Sequence, residues 1–194
     1  MKIMNPFLKL FQSFTLMTSL LVGVGLAMPV FAQADTANIP NAQALHVKAV
    51  DYGKDAMAGD LKSAFSMFPP RVFAEDAKKH GATVQQGIDL MAKEIGEQMA
   101  KQVKMISYAI DDAHPRTVAL QDGKTGWLLP AEAVQLLLEK NKKVQFKFEV
   151  VAIYENATWY LMPLAQPWAY PALIEAYPEY RSIKIEKSAT ELKE

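Results

Sequence analysis

Val84, Ile88, Met91, Ile95, Met99 and Val103 recur at steps of four, three, four, four and four. That spacing gathers apolar side chains on one face of an α-helix. Asp89, Lys93, Glu97 and Lys101 occupy the other side in two favourable i,i+4 pairs. Thr83 and Gln86 form a Thr-x-x-Gln capping box, so the pattern predicts a helix from Thr83 to about Gln102. An earlier helix is predicted from an Asn41 cap to about Phe68, on Val50, Met57, Leu61, Ala64, Phe65 and Phe68. Gly53 and Gly59 weaken it and mark a bend. Pro69-Pro70 ends it and opens a short helix, Arg71 to His80, closed by Gly81.

Beyond Gln102 the period shortens to two. Met105–Ile110 reads as a strand, followed by the turn-like Asp111-Asp112-Ala113-His114-Pro115. Thr117–Leu120 and Trp127–Leu138 read as one strand, interrupted by Gln121-Asp122-Gly123-Lys124 and kinked at Pro130. After the polar turn Glu139–Lys143, Val144, Phe146, Phe148, Val150, Ala152 and Tyr154 alternate with Gln145, Lys147, Glu149, Val151 and Ile153. One face of that strand is wholly apolar, and the other becomes apolar at Val151. Glu149 is expected to face outward beside Lys147, or to lie opposite a basic residue on the next strand. Asn156-Ala157 turns the chain into Trp159–Met162, and a last helix around Trp168 to Ala176 is broken by Pro171 and Pro178. Ser188–Glu194 reads as a frayed tail. Helices first and a meander of strands after them predict an α+β domain, with N-terminal helices packed on a curved, cone-shaped antiparallel sheet of about four strands.

The start of the chain changes the setting. Lys2 and Lys9 flank a short positive region, and no charge occurs from Leu10 to Ala34. Phe14–Met28 has the length of a signal-peptide core, and Val30-Phe31-Ala32-Gln33-Ala34 supplies small residues for cleavage after Ala32 or, preferably, Ala34. Thr15, Thr18, Ser19, Gly23, Gly25 and Pro29 dilute the stretch below a membrane anchor. The expectation is therefore a leader over residues 1–34, a flexible lead-in over 35–40, one domain over 41–187 and a tail over 188–194, exported to a periplasm or secreted. The chain has no cysteine, so its stability rests on packing alone. Its 21 basic and 21 acidic residues leave no basic footprint for nucleic acid. No further hydrophobic span follows the leader, so no membrane association is expected once the leader is removed.

Three stretches resemble the nuclear transport factor two-like superfamily, also called the cystatin-like or SnoaL-like cone fold. They are Ala58-Gly59-Asp60-Leu61 with Phe68-Pro69-Pro70, His80-Gly81-Ala82 leading into the long helix, and the hairpin Val150 to Leu161 with a tryptophan just past its turn. The segment Leu173–Ile185 resembles the tail of small exported members of unassigned role. The superfamily contains isomerases, dehydratases and epoxide hydrolases beside many binding domains, so the fold does not select a function. Its enzymes place an Asp/His or Asp/Tyr pair deep in the cone.

No such pair stands out here. His46 falls early in the first helix, His80 at a helix end and His114 in a turn, while Asp111-Asp112 reads as a turn and Asp51/Tyr52 as helix surface and cone wall. Phosphate loops, zinc spacings and nucleophile elbows are absent from the sequence. No catalytic residue, metal ligand or cofactor is assigned. The aromatic residues Trp159, Tyr160, Trp168, Tyr170, Tyr177 and Tyr180 read first as packing for the last helix, and Tyr52, Trp159 and Trp168 are the candidates for lining a ligand mouth. The expected function is non-catalytic binding of a small apolar ligand or a protein partner. The alternatives are a protective protein against a toxin delivered to the same compartment, and a cofactor-free isomerase or hydrolase.

Overall fold

A computed structural model describes residues 39–192. The expected leader, its cleavage site, most of the lead-in and the last two residues of the tail lie outside the described residues. Four helices come first: α1 (Ala42–Ala58), α2 (Leu61–Ser66), α3 (Arg71–Lys79) and α4 (Val84–Gln102). The strands β1 (Val103–Ile110), β2 (Arg116–Ala119), β3 (Thr125–Leu137), β4 (Lys142–Glu155) and β5 (Thr158–Pro163) follow. Helix α5 (Ala169–Ala176), a 3₁₀ turn (Pro178–Ser182) and β6 (Ser188–Leu192) complete the chain. The α+β class is as expected: helices precede a strongly curled antiparallel sheet that forms a half-barrel.

Local chemistry explains the helix boundaries. The capping box on α4 is complete, with Thr83 Oγ1 accepting from Gln86 N and Gln86 Oε1 accepting from Thr83 N. The predicted helix from Asn41 to Phe68 is two helices. Gly59 takes φ 72 and ends α1, a left-handed conformation that a side chain disfavours. Asp60 then caps α2 by accepting from Ser63 N at 3.1 Å. Pro171 does not break the last helix, because it lies in the first turn of α5, where no intrahelical N–H is lost.

The sheet has six strands in four lanes. β1 and β2 both run antiparallel to β3, with Ile110 opposite Ala131 and Arg116 opposite Leu128. They therefore form one lane interrupted at residues 111–115. The expectation that Thr117–Leu120 continues into Trp127–Leu138 is corrected: residues 120–124 reverse the chain, closed by Leu120 N donating to Lys124 O. On the far side, β5 pairs with residues 150–155 of β4, and β6 pairs with residues 143–147. The supposed frayed tail is thus a strand over Ser188–Leu192. Its sequence has no apolar face, and main-chain pairing holds it, together with the exposed ion pair Lys142–Glu191 at 2.9 Å. A surface pair of that kind contributes ~0–1 kcal/mol.

Ladder partners project to the same face. Phe148, Val150 and Ala152 share theirs with Ala131, Leu129 and Trp127 and meet the N-terminal helices. Glu149 and Val151 share the opposite face with Pro130 and Leu128. All six residues from Phe148 to Ile153 are buried, because the C-terminal segment covers that second face at this end. Gly126 shows the closeness of the cover: a Cβ there would meet Tyr180 Cε1 at 3.1 Å. Among the described residues, no helix is long and apolar enough to cross a membrane.

Phe148 is 5% exposed and in ring contact with Tyr108, while Lys147 next to it is exposed. Phe148→Ala is expected to cost ~3–5 kcal/mol, and Lys147→Ala less than ~0.5 kcal/mol. Denaturant melts check this, and equal losses for the two would contradict the facing just described.

Candidate functional site

The space between the helices and the sheet is occupied by side chains of the domain itself. Phe73 of α3 stacks on Phe68 at 6.0 Å, and Phe68 stacks on Tyr52 of α1 at 6.3 Å. Tyr52 meets Tyr108 of β1 at 5.7 Å, and Tyr108 meets Phe148 of β4 at 5.8 Å. Phe65 closes on Phe68 edge-on at 5.2 Å, and Trp168 stacks on it at 6.2 Å. These separations are those of favourable offset and edge-to-face ring pairs. A column of rings thus runs from α3 through α1 to β1 and β4, between the N-terminal helices and the sheet.

Two of the three candidate mouth residues, Tyr52 and Trp168, converge on Phe68. Trp159 belongs to a separate cluster with Trp127 at 5.4 Å and Tyr154 at 4.9 Å. Its indole Nε1 donates to Pro40 O at 2.9 Å, so this ring anchors the entry to α1. Tyr52 and Trp159 are buried and Trp168 is half-buried.

Within the column, Tyr108 Oη is buried without a well-formed hydrogen bond, although it lies close enough to Tyr52 for each phenol to affect the other's ionisation. Burial pushes both phenols well above their ordinary range. Both stay protonated at neutral pH, which makes them hydrogen-bond donors and not bases.

Three further contacts among the described residues each join a carboxylate to an imidazole or a phenol. His46 Nδ1 lies 3.0 Å from Asp112 Oδ2, joining α1 to the turn after β1. His114 Nδ1 lies 3.0 Å from Asp111 Oδ2 within that turn. Both imidazoles are more than half exposed, at 56% and 81% of the side chain, so solvent competes at each. The third contact joins α3, the β4–β5 hairpin and the segment after α5. Tyr177 Oη donates to Glu155 Oε2 at 3.0 Å, and the Arg71 guanidinium lies 4.5 Å from the centre of the Tyr177 ring. Arg71 Nη1 also reaches Glu155 Oε1 at 3.5 Å. Burial, then the bond to Glu155, pushes the Tyr177 phenol up. The phenol is held as a donor, and the carboxylate has a cation beside it.

The one buried charged residue among those described is Glu149, at 6% exposure, and the expectation that it faces solvent is corrected. Arg116 binds it in a two-point fork, Nε to Oε1 at 2.8 Å and Nη2 to Oε2 at 2.9 Å. Glu186 N donates to Oε2 at 2.9 Å, and Arg116 Nη2 also donates to Lys184 O at 2.7 Å. The basic partner comes from β2, two lanes away and not from an adjacent strand. The apolar setting of Glu149, between Phe148 and Val150 in the sequence, is the signal that could have marked it. Nothing near Arg116 in sequence marks it as the partner.

Elsewhere, an open groove of about 410 Å³ lies where the α1–α2 turn meets α4. Lys62 crosses it to Asp89 at 3.1 Å, and bonds from Gln85 and then Lys62 hold the Asp89 carboxyl below its usual range. Among the described residues, no group of three or more His, Cys, Asp or Glu is placed to hold a metal ion. The chain matches no family model, no curated protein and no solved structure.

The tyrosines give the site a pH dependence of definite sign. Tyr52, Tyr108, Tyr177 and Tyr180 all have phenols raised in the folded state, in each case chiefly by burial. An unfolded chain ionises its tyrosines near the ordinary value of 10.0, so above that pH the folded state binds more protons. Stability from these groups is complete below pH ~10 and is lost as pH rises further. The melting temperature should fall above that pH, with phenolate absorbance of the buried rings rising together with loss of structure. Titration of all seven tyrosines near pH ~10 in a chain that stays folded would contradict this.

Proposed function

We propose that the chain is an exported, non-catalytic interaction domain of the cone-fold class, and that its partner is a protein bound on its surface. The observation that carries this reading is the column from Phe73 through Phe68, Tyr52 and Tyr108 to Phe148. It fills the concavity that would hold an apolar ligand, and close-packed interiors do not admit guests without losing contacts. The order of helices before a strongly curled sheet supports the superfamily resemblance, and the uncharged run up to Ala34 supports export. Exposed Val47, Val50 and Met57 on α1 and Ile106 on β1 give the outside apolar positions of the kind that protein contacts use. The His46–Asp112 and Tyr177–Glu155 contacts lie outside the ring column, so they lend the isomerase or hydrolase reading little support.

The test uses an apolar probe the size of benzene. Phe68 is 3% exposed and touches Tyr52, Phe65, Phe73 and Trp168, so Phe68→Ala should leave a dry apolar cavity. Xenon or benzene should bind to the variant, seen as ligand-dependent shifts in its methyl NMR spectrum, and leave the wild-type spectrum unchanged. Uptake by wild type as strong as by Phe68→Ala, or a small apolar molecule retained by wild type in native mass spectrometry, would overturn the protein-partner reading in favour of a ligand carrier.

A further inference from the structure

We propose that the edge of β4 from Lys143 to Lys147 is a strand-acceptor site, occupied by the chain's own β6 at rest and by an acidic extended segment of a protein partner when bound. The proposal rests on the interaction-domain reading and gives it a surface.

The two strands that share this edge of β4 are held in different ways. β5 buries Trp159, Leu161 and Met162, and Leu161 N on its outer side donates to Met67 O at 2.9 Å. It is part of the core. β6 has Ser188, Ala189, Thr190 and Glu191 exposed, with only Leu192 half-buried. Its hold on β4 is the main-chain ladder from Lys147–Ser188 to Lys143–Leu192, with Lys142 Nζ to Glu191 Oε1 at 2.9 Å. Main-chain pairing is what strand addition by a partner reproduces, and side-chain positions then give selectivity.

The chain just before β6 is fixed. Lys184 O accepts from Arg116, and Glu186 N donates to the buried Glu149. Rotation near Lys187 can therefore release β6 while the cover over the second face of the sheet stays in place. The exposed backbone would be a short edge with Lys142 on the face that Glu191 now occupies and Lys143 and Lys147 on the other face, so an incoming strand with an acid where Glu191 now sits meets Lys142. A partner supplying that strand competes against a tethered resident. The resident also keeps the edge from pairing with unselected strands.

A chain ending at Lys187 and a fluorescent peptide spanning Ser188 to Glu194 test the site. The truncated chain should keep a cooperative melt and bind the peptide. Full-length chain should bind it about tenfold more weakly or less, because its own β6 competes at high effective concentration. A Glu191→Lys peptide should bind the truncated chain several-fold more weakly at low salt. In the full-length chain, amides of 188–192 should exchange with solvent well before those of 158–163. Four results would overturn the proposal: a truncated chain that unfolds, a folded one that ignores the peptide, equal protection of β6 and β5, or full-length dimerisation lost on truncation, which would make a second copy the occupant. Each can occur while wild type still excludes the apolar probe, so failure here is distinguishable from failure of the interaction-domain reading.

Discussion

Glu149 is the charged member of six consecutive buried residues from Phe148 to Ile153, and its neutralisation organises the second half of the molecule. An unpaired carboxylate in that position would cost several kcal/mol. Arg116 is brought to it because the first lane of the sheet breaks at residues 111–115, where Asp111 N donates to Pro130 O and β2 resumes with Arg116. The last lane breaks at the same level: Leu164 N donates to Glu149 O, and the chain leaves the sheet until β6. Both excursions thus meet at the Pro130–Glu149 pair. The carboxylate accepts a further bond from Glu186 N, and the guanidinium donates a further bond to Lys184 O. One charge pair therefore satisfies itself and fixes the path of the C-terminal segment, so that β4 is buried on both faces where it carries Val150, Val151 and Ala152.

The opposite face of the sheet is closed by shape and not by charge. Helix α1 is anchored at its start by Trp159 Nε1 on Pro40 O and along its length by Tyr52 against Tyr108. The ring column that follows leaves the interior little room for chemistry, and it leaves Tyr108 Oη without a good hydrogen bond. The edge of β4 is divided between β5, which is core, and β6, which is held by its backbone.

Much of the fold is legible in the sequence because it is written in local patterns. The Val84–Val103 periodicity and the Thr83–Gln86 box locate α4 almost to the residue, and alternation from Val144 to Val150 with the apolar run that follows to Tyr154 locates β4. What escapes depends on distant partners. Glu149 follows the alternation of an outward residue, and the arginine that explains it is 33 positions away. Residues 120–124 have the turn composition of a reversal and of an interruption alike, so the lane formed by β1 and β2 shows only in the pairing. β6 leaves no side-chain signal, because its pairing uses the backbone. Among the candidate site residues, the burial of Tyr52 and Trp159 follows from their apolar bodies. Their separation into two clusters depends on how α1 crosses the sheet, which no single segment states.

The coupling between Arg116 and Glu149, measured by a double-mutant cycle in denaturant melts, tests most directly how the C-terminal half of the fold is held. Arg116→Leu strands a buried carboxylate and should cost ~3–5 kcal/mol, and Glu149→Leu strands the guanidinium at smaller cost because Arg116 is partly exposed. The double variant should be more stable than Arg116→Leu alone, with a coupling of ~1–3 kcal/mol. Segment 183–187 should lose its hydrogen-exchange protection in Arg116→Leu. Additive losses within ~0.5 kcal/mol, with protection of 183–187 unchanged, would contradict the claim that this pair fixes the C-terminal half of the fold.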